Sequence, residues 1–413
     1  MKKTMIAAGL AAMTLAATQT PVAAATYDRA TLQADVDAIH AMKVPGVLAA
    51  AHTGRGPLTA RSGLADLTAK RPVPYGGYFR MGSTSKTFTA TVVLQLAGEG
   101  RLSLDDTVEK WLPGVVQGNG NDGSKITVRH LLQQTSGLAE YVLDLPGWTA
   151  KDYREHRFDS YTPEQLVGIA MRHKPSWVPR SGEQRWGYSN TNYVLAGMII
   201  KKVAGRAWSQ EVRERIIRPL GLRHTFSPGT NPHLPKPHAS GYTEFPDSTE
   251  PVNTTDLNVT FAGAAGDLIT TASDLTRFWK ALLGGKLLKP AQLTAMKQTV
   301  PAPGWNYIYP GARYGLGIAQ FQSSCGSTYW GHPGNAPGYA TRSSFTEDGR
   351  RGMVVFMTLF IPNERAIEVD KRVNEGVDHL MCDTRTESGA SRVRTGATPT
   401  GGTRGRGDGW SDD

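Results

Sequence analysis

The chain has 413 residues, of which 39% are hydrophobic and 20% are charged, and its formal net charge is +10. These values exclude a small disulfide-stapled scaffold and a disordered chain, and they fit a globular protein with one large domain or two ordinary domains. The lysines and arginines are scattered without a basic run or a recognition motif. We therefore expect no nucleic-acid partner and attribute the charge to contact with an anionic cell envelope.

The two ends of the chain are predicted to lie outside the folded domain. Residues 1–25 are typical of a secretory signal peptide, with a basic start at Lys2, an apolar stretch at 5–17 and a small-residue cleavage site ending at Ala25. This segment is too short to span a membrane, so we expect a secreted protein, extracellular or cell-wall associated, without a stable membrane anchor. Residues 383–413 are rich in Gly, Thr, Arg and Ser, which predicts a disordered tail.

Between these ends, apolar periodicity predicts strands near both termini of the domain and helices in its middle. In chain order, the predicted elements are a helix at 27–42, strands at 46–52 and 58–67, a buried helix at 83–98, helices at 192–203, 210–217 and 274–283, a strand at 314–321, a hairpin at 339–347 and 351–360, and a helix at 364–381. The simplest arrangement is an α/β (α+β) fold with an antiparallel sheet flanked by helices. Residues 26–104 and 262–382 would build the sheet, and an all-α region at 105–261 would be inserted between them.

Ser83 and Lys86 form an S-x-x-K motif at the start of the most apolar predicted helix. Residues three apart share a helix face, so the Lys86 amine can reach the Ser83 hydroxyl and take its proton, which a serine nucleophile requires. Burial would lower the pKa of the lysine and suit it to act as a base. About one such motif is expected by chance in a chain of this length, and the alternative is a helix-capping serine followed by a surface lysine.

Two further motifs contain groups that could assist this nucleophile. Tyr188 and Asn190 form a Y-x-N motif, in which the phenol can pass a proton to a leaving group and the amide can hold a lysine and a substrate. The alternative is a loop that ends in a helix-capping asparagine. His332 and Gly334 form an H-x-G motif, which is either an ordinary turn or a donor beside a glycine that lets the backbone approach a substrate. If His332 assists, activity should change near its reference pKa of about 6.5, shifted by the site.

The three motifs in this order resemble those of the penicillin-recognising serine hydrolases, the group of the class C β-lactamases and the Streptomyces-type D-alanyl-D-alanine carboxypeptidases. The runs at 79–82, 131–138, 262–266 and 314–317 resemble the same family. The resemblance implies that residues 26–382 form a serine hydrolase domain with a β-lactamase/transpeptidase-like fold. It also implies the site roles: Ser83 forms an acyl-enzyme, Lys86 and Tyr188 move the proton, Asn190 orients these groups and His332 assists.

The resemblance further implies which groups contact the substrate. The backbone N–H groups of Ser83 and Asn335 would form an oxyanion hole, with Gly334 and Phe261 beside the substrate. An exported chain with two cysteines favours a disulfide over two buried free thiols. Family members have cysteines at positions similar to Cys325 and Cys382. No metal ion or cofactor is implied.

The sequence departs from the family where the substrate carboxylate is expected to bind. Gln134 replaces a histidine before the Thr-Ser-Gly-Leu run. Carboxypeptidase members carry an arginine and two threonines at positions that here are Ala319, Pro333 and Asn335. A free carboxylate needs a charged or multi-donor partner, so the expected acyl-transfer groups are present but the groups that select a carboxypeptidase substrate are not.

We therefore expect a monomeric D-alanyl-D-alanine carboxypeptidase-like hydrolase that acts on D-amino-acid-containing cell-wall peptides and is acylated by β-lactams. The missing carboxylate-binding residues leave open a D-amino-acid-specific peptidase or esterase on the same scaffold. A β-lactamase is less favoured because His332 stands where a lysine is expected. The intact Ser83 and Lys86 argue against a non-enzymatic wall-binding protein, and the absence of an H-E-x-x-H motif argues against a metal hydrolase.

Overall fold

The structure, a computed structural model, describes residues 27–383. The predicted signal peptide and the predicted tail beyond Asp383 lie outside the described residues. Asp383 itself is buried and accepts a hydrogen bond from the backbone N–H of Tyr27 at 3.0 Å, so the folded domain extends one residue further than the sequence predicts. Among the described residues, no helix is both long enough and apolar enough to cross a membrane.

The predicted antiparallel sheet is confirmed, and it draws its strands from both ends of the described chain. Within residues 27–383 the main sheet has ten strands. From one edge to the other they are Val300–Pro301, Arg313–Tyr314, Ala319–Gln322, Thr328–Gly331, Tyr339–Phe345, Gly352–Met357, Gly46–Thr53, Gly56–Asp66 and Arg71–Pro72, with Gly334–Ala336 paired to Tyr339–Phe345. The neighbouring strands of this sheet run antiparallel.

Helices cover both faces of this sheet and fill the region between its two halves. In chain order, the α-helices of the described residues are Arg29–Ala41, Ser85–Gly98, Val108–Trp111, Val128–Gln133, Ala150–His156, Pro163–Ala170, Thr191–Ala204, Trp208–Val212, Arg218–Leu220, Ala272–Leu283, Pro290–Lys297 and Arg365–Met381. A π-helical turn at Arg213–Ile217 joins two of them, so the predicted helix at 210–217 is part of a longer helical segment.

The strand Gly46–Thr53 shows how the sheet separates two cores. Successive side chains of a strand point to opposite faces. Val47 and Ala49 accordingly pack with the helices Arg29–Ala41 and Arg365–Met381, whereas Leu48 packs in the core that contains Ser85–Gly98. The strand is apolar on both faces because both faces are covered, unlike a strand with one face in solvent.

Two predictions about the fold are wrong in detail. The predicted strand at 314–321 is two antiparallel strands, Arg313–Tyr314 and Ala319–Gln322, because a turn containing Gly317 at φ +75° reverses the chain between them. The region 105–261 is mostly helix and loop but not all-α. It contains the short strand pairs Gln117–Gly118 with Asn121–Asp122 and Tyr242–Thr243 with Val252–Asn253.

Candidate active site

Ser83 lies in a short 3₁₀ turn, Gly82–Thr84, that leads directly into the helix Ser85–Gly98. Gly82 adopts a φ of +53°, and a Cβ atom there would lie 2.4 Å from the backbone oxygen of Asn335. Only glycine allows both this left-handed backbone and this close approach. The glycine before the nucleophile therefore lets the turn press against the strand Gly334–Ala336.

Lys86 is fully buried beneath the nucleophile. Its amine lies 3.1 Å from the Ser83 Oγ atom and donates hydrogen bonds to the Ala265 carbonyl at 2.8 Å and to the Asn190 Oδ1 atom at 2.6 Å. Burial lowers the pKa of Lys86 from 10.5 to about 7, against the opposing effect of the nearby Glu140 carboxylate. With both acceptors satisfied, a neutral Lys86 directs its lone pair at Ser83, as a general base requires.

Asn190 joins the Lys86 amine to an acidic residue, Glu140, that the sequence analysis missed. Its side-chain oxygen accepts from Lys86, while its side-chain nitrogen donates to Glu140 at 2.9 Å. Glu140 also accepts from the backbone N–H groups of Asn190 and Val142. Burial raises the pKa of Glu140, although these hydrogen bonds and Lys86 oppose the rise. In the sequence, Glu140 is marked only by its position two residues after the Thr-Ser-Gly-Leu run. An acidic residue at that position does not by itself indicate a contact with the site.

Tyr188 lies beside both Ser83 and Lys86. Its hydroxyl interacts with the side chain of Ser83, and its ring centre lies 4.8 Å from the Lys86 amine. Burial raises the pKa of Tyr188 well above its ordinary value, so the phenol stays protonated. Gln134, the residue that replaces the family histidine, holds this segment, because its side-chain oxygen accepts from the Ser189 backbone at 3.0 Å and from Asn192 at 2.6 Å.

The structure brings His332 next to the site but in a different environment from the one predicted. Its hydrogen bonds run to the Tyr314 hydroxyl, which donates to Nε2 at 2.8 Å, and to the Pro333 carbonyl, which accepts from Nδ1 at 2.6 Å. Burial and the charge of Lys86 lower the pKa of His332 to about 3. The site therefore shifts the pKa of His332 far below the reference value of 6.5, so that this fully buried imidazole stays neutral at ordinary pH.

Gly334 and Asn335 form the opposite wall of the site. A Cβ atom on Gly334 would lie 2.0 Å from the Met81 carbonyl oxygen, so glycine is needed for this strand to pack against the nucleophile turn. Ser83, Asn335 and Phe261 line one cavity together with Trp148 and Phe245. An oxyanion hole formed by the Ser83 and Asn335 N–H groups remains a prediction.

The strand Tyr339–Phe345 carries a second group that the sequence analysis missed. Arg342 is 7% exposed and forms a two-point ion pair with Asp370, at 2.7 and 2.9 Å. Its remaining nitrogen donates to the Asn335 Oδ1 atom at 3.0 Å. Nothing in the sequence around Arg342 indicates that its side chain would contact Asn335.

The two cysteines lie outside the residues that line the cavity of Ser83. Cys325 and Cys382 form the predicted disulfide. Within residues 27–383, no group of three or more His, Cys, Asp or Glu side chains is arranged to hold a metal ion.

With a serine, a buried lysine of lowered pKa and a tyrosine in contact, the geometry defines a serine hydrolase. The family described as Beta-lactamase matches residues 32–378, and the chain belongs to this family of penicillin-recognising serine hydrolases. A D-stereospecific amidohydrolase from a Streptomyces species is 40% identical, with a TM-score of 0.77, and the match covers 86% of this chain and 99% of that protein.

Two further relatives place the chain within the same group. The D-amino acid amidase from Ochrobactrum anthropi SV3 is 28% identical with a TM-score of 0.74, and the match covers 87% of this chain and 99% of that one. Penicillin-binding protein 4* of Bacillus subtilis strain 168 is 28% identical over 334 residues, 77% of this chain and 68% of the relative. The expected β-lactamase/transpeptidase-like fold is confirmed.

Proposed function

We propose that this protein is a secreted D-stereospecific amidohydrolase that cleaves the amide bond after an amino-terminal D-residue with a free α-amine. The observation that carries the proposal is Glu140. Glu140 is half-buried, is linked to Lys86 through Asn190, and begins the segment whose next residues, Tyr141 and Val142, line the cavity of Ser83. A substrate ammonium group that leaves water to bind beside Glu140 would gain a charge-assisted hydrogen bond to this carboxylate.

The charges near Asn335 favour the same substrate class. A terminal carboxylate would need a free cation there, but Arg342 already has its charge balanced by Asp370. The Asn335 side chain gives its oxygen to Arg342, so it offers a leaving group an N–H donor without a charge. This uncharged N–H donor is better suited to bind the neutral carbonyl of an amide-linked residue than to bind a carboxylate.

The names of the two structural relatives indicate the stereochemistry of the proposed substrate. Both structural relatives described above act, by their names, on D-configured compounds, and one of them is an amidase of D-amino acids. D-stereospecificity and the substrate class come to this chain as part of the proposal, and the predicted signal peptide would place the activity outside the cell.

The side chains can perform this reaction in two half-reactions. Neutral Lys86 accepts the Ser83 proton as the serine oxygen attacks the amide carbonyl. Tyr188 gives its proton to the leaving nitrogen and regains one from the Lys86 ammonium, so the C–N bond breaks and an ester to Ser83 forms. Water then loses a proton to Lys86 and attacks the ester, and Ser83 leaves with that proton.

A second candidate is the carboxypeptidase reaction, which one observation favours. Arg157 lines the cavity of Ser83, and its guanidinium stacks 4.4 Å from the ring centre of Phe158. Within the described residues it forms no ion pair that would balance its charge, so a substrate carboxylate could bind there. The relative named penicillin-binding protein 4* is compatible with this alternative.

The two candidates are separated by a matched substrate panel. We expect kcat/KM for D-alanine amide and for a peptide amide that begins with D-Ala to be at least ~10-fold higher than for their N-acetylated or L-configured counterparts. One charge-assisted hydrogen bond changes kcat/KM by about this factor. Faster turnover of N-acyl-D-Ala-D-Ala with release of D-alanine, reduced by Arg157→Ala, would instead establish the carboxypeptidase. Equal turnover of free and N-acetylated donors would remove the proposed role of Glu140.

A further inference from the structure

The cavity lined by Ser83 adjoins another cavity at Asn335. A second cavity begins there, and the two share the residues Trp148, Asn335, Phe360 and Pro362. The second cavity runs along the end of the sheet to the last helix, Arg365–Met381, where Ala366 and Ile367 line it. The strand that holds Asn335 against the nucleophile turn therefore lies between two adjoining cavities.

We propose that this second cavity is the leaving-group subsite and that it takes an uncharged apolar residue, the second residue of a peptide whose own carboxyl group is amidated or extended. The proposal rests on the proposed function, which places the substrate amine at Glu140. The cavity lined by Tyr141 and Val142 then holds the acyl residue, and the part of the substrate beyond the scissile bond continues past Asn335.

The lining of the second cavity favours an apolar occupant. Val44, Ile308 and Ile367 form its walls, and Tyr307 stands at its mouth with 58% of its surface exposed. An exposed tyrosine beside aliphatic walls offers a leaving-group side chain apolar area that water otherwise covers. Ammonia, the leaving group of a primary amide, uses none of this area.

The charges in the second cavity disfavour a free carboxylate. Three charged residues, Arg342, Asp370 and Glu364, line it. Arg342 and Asp370 are nearly buried and cancel each other in a two-point ion pair, whereas Glu364 is exposed and adds a negative charge at the edge. A substrate carboxylate placed here would meet the Asp370 charge without gaining a free cation. Asn335, whose oxygen is held by Arg342, donates its N–H instead to a neutral carbonyl. Arg342 thus acts as a positioning residue that sets which end of the Asn335 amide faces the substrate.

The test uses three leaving groups on two donors. D-Alanyl and N-acetyl-D-alanyl donors are each joined to ammonia, to leucine amide and to leucine with a free carboxyl group, and kcat/KM is measured for each. This constant covers only the steps up to acylation, and the acyl-enzyme is the same for every leaving group on one donor. We expect leucine amide to exceed both ammonia and free leucine by roughly tenfold or more, the discrimination that one well-buried aliphatic side chain gives.

Variants locate the effect in the second cavity. Tyr307→Ala, which removes the exposed ring, and Ala366→Trp, which fills the space, should each lower the leucine amide to ammonia ratio at least threefold. Tyr75→Ala removes a tyrosine of similar exposure (42%) outside this cavity and should leave the ratio unchanged. Equal constants for the three leaving groups, a preference for free leucine, or a ratio insensitive to both variants would overturn the proposal.

The two donors keep this result separate from the proposed function. If only the N-acetylated donor is hydrolysed, the proposed function fails, yet the leaving-group ratio is still read on that donor. If the free-amine donor is preferred but the three leaving groups behave alike, the proposed function stands and the subsite is wrong.

Discussion

The two sides of the active-site cleft are built differently. On the nucleophile side, Lys86 is completely buried and its amine is held by the Ala265 carbonyl and Asn190, from two segments far from it in the sequence. On the substrate side, Trp148 and Tyr307 keep 39% and 58% of their surface exposed. A change on the first side disturbs a buried hydrogen-bond network, whereas a change on the second alters which substrate fits. We therefore expect changes on the first side to affect mainly the reaction chemistry and changes at Trp148 or Tyr307 to affect mainly substrate choice.

The largest expected effect is on the nucleophile side. Ser83→Ala removes the only group that can form the acyl-enzyme, and we expect kcat/KM to fall by about 10⁴-fold or more. Covalent labelling by a fluorescent penicillin should disappear in the same variant. Ser273→Ala, at an exposed serine on the helix Ala272–Leu283, is the matched control. Full labelling of the Ser83 variant would show that the nucleophile is elsewhere.

The next largest effect is expected for Glu140, whose substitution should change the choice of substrate more than the reaction chemistry. Glu140→Gln keeps the size of the side chain and one accepting oxygen but removes the charge, so we expect the preference for a free over an N-acetylated donor to fall by about 10- to 100-fold. Hydrolysis of a neutral aryl ester should change much less, because it has no ammonium group. Equal losses on both substrates would mean that Glu140 serves the catalytic groups rather than substrate choice.

A smaller effect concerns the pH dependence of the base. The pKa of Lys86 is lowered to about 7, and only the neutral amine can accept a proton, so kcat/KM for an aryl ester should rise with pH and level off above about 7. The Glu140 carboxylate raises the pKa of Lys86, so Glu140→Gln should move this rise to lower pH. An ester without an amine is used because its own ionisation then stays constant. A rise displaced to higher pH in the variant would contradict the assignment of Lys86 as the base.

The smallest effect is predicted for His332. Its pKa lies at about 3, so it is neutral over the whole working range. His332→Gln can preserve the contacts with Tyr314 and Pro333, and we expect an unchanged shape of the pH profile between about pH 5 and 9, with a rate loss below about tenfold. Loss of the rise near pH 7 would show that the imidazole, rather than Lys86, titrates during catalysis.

The nucleophile side could largely be predicted from the sequence, and the substrate side could not. Ser83 and Lys86 are three positions apart on one helix, so local geometry alone places them together. Tyr188 and Asn190 could be joined to them only through the resemblance to a family, since no local pattern connects segments more than 100 residues apart. The hairpins of the sheet were predictable because their alternation and turns are local.

The missed residues share a physical cause. Glu140 and Arg342 act through partners that only the tertiary structure provides, Asn190 for the first and Asp370 and Asn335 for the second. Their residue types occur throughout any soluble chain. The error at 314–321 had a different origin, because a four-residue reversal inside an apolar run hides the boundary between two short strands.

The bridge that Asn190 forms between Lys86 and Glu140 has a thermodynamic consequence. A cationic ligand beside Glu140 offsets the negative charge that holds protons on Lys86, so such a ligand and a proton compete across the bridge. Near neutral pH the binding of an amine-containing product should release protons into the buffer, and its apparent binding enthalpy should vary with the ionisation enthalpy of that buffer. The enzyme would thereby obtain a larger fraction of its working base at the moment its own class of substrate arrives.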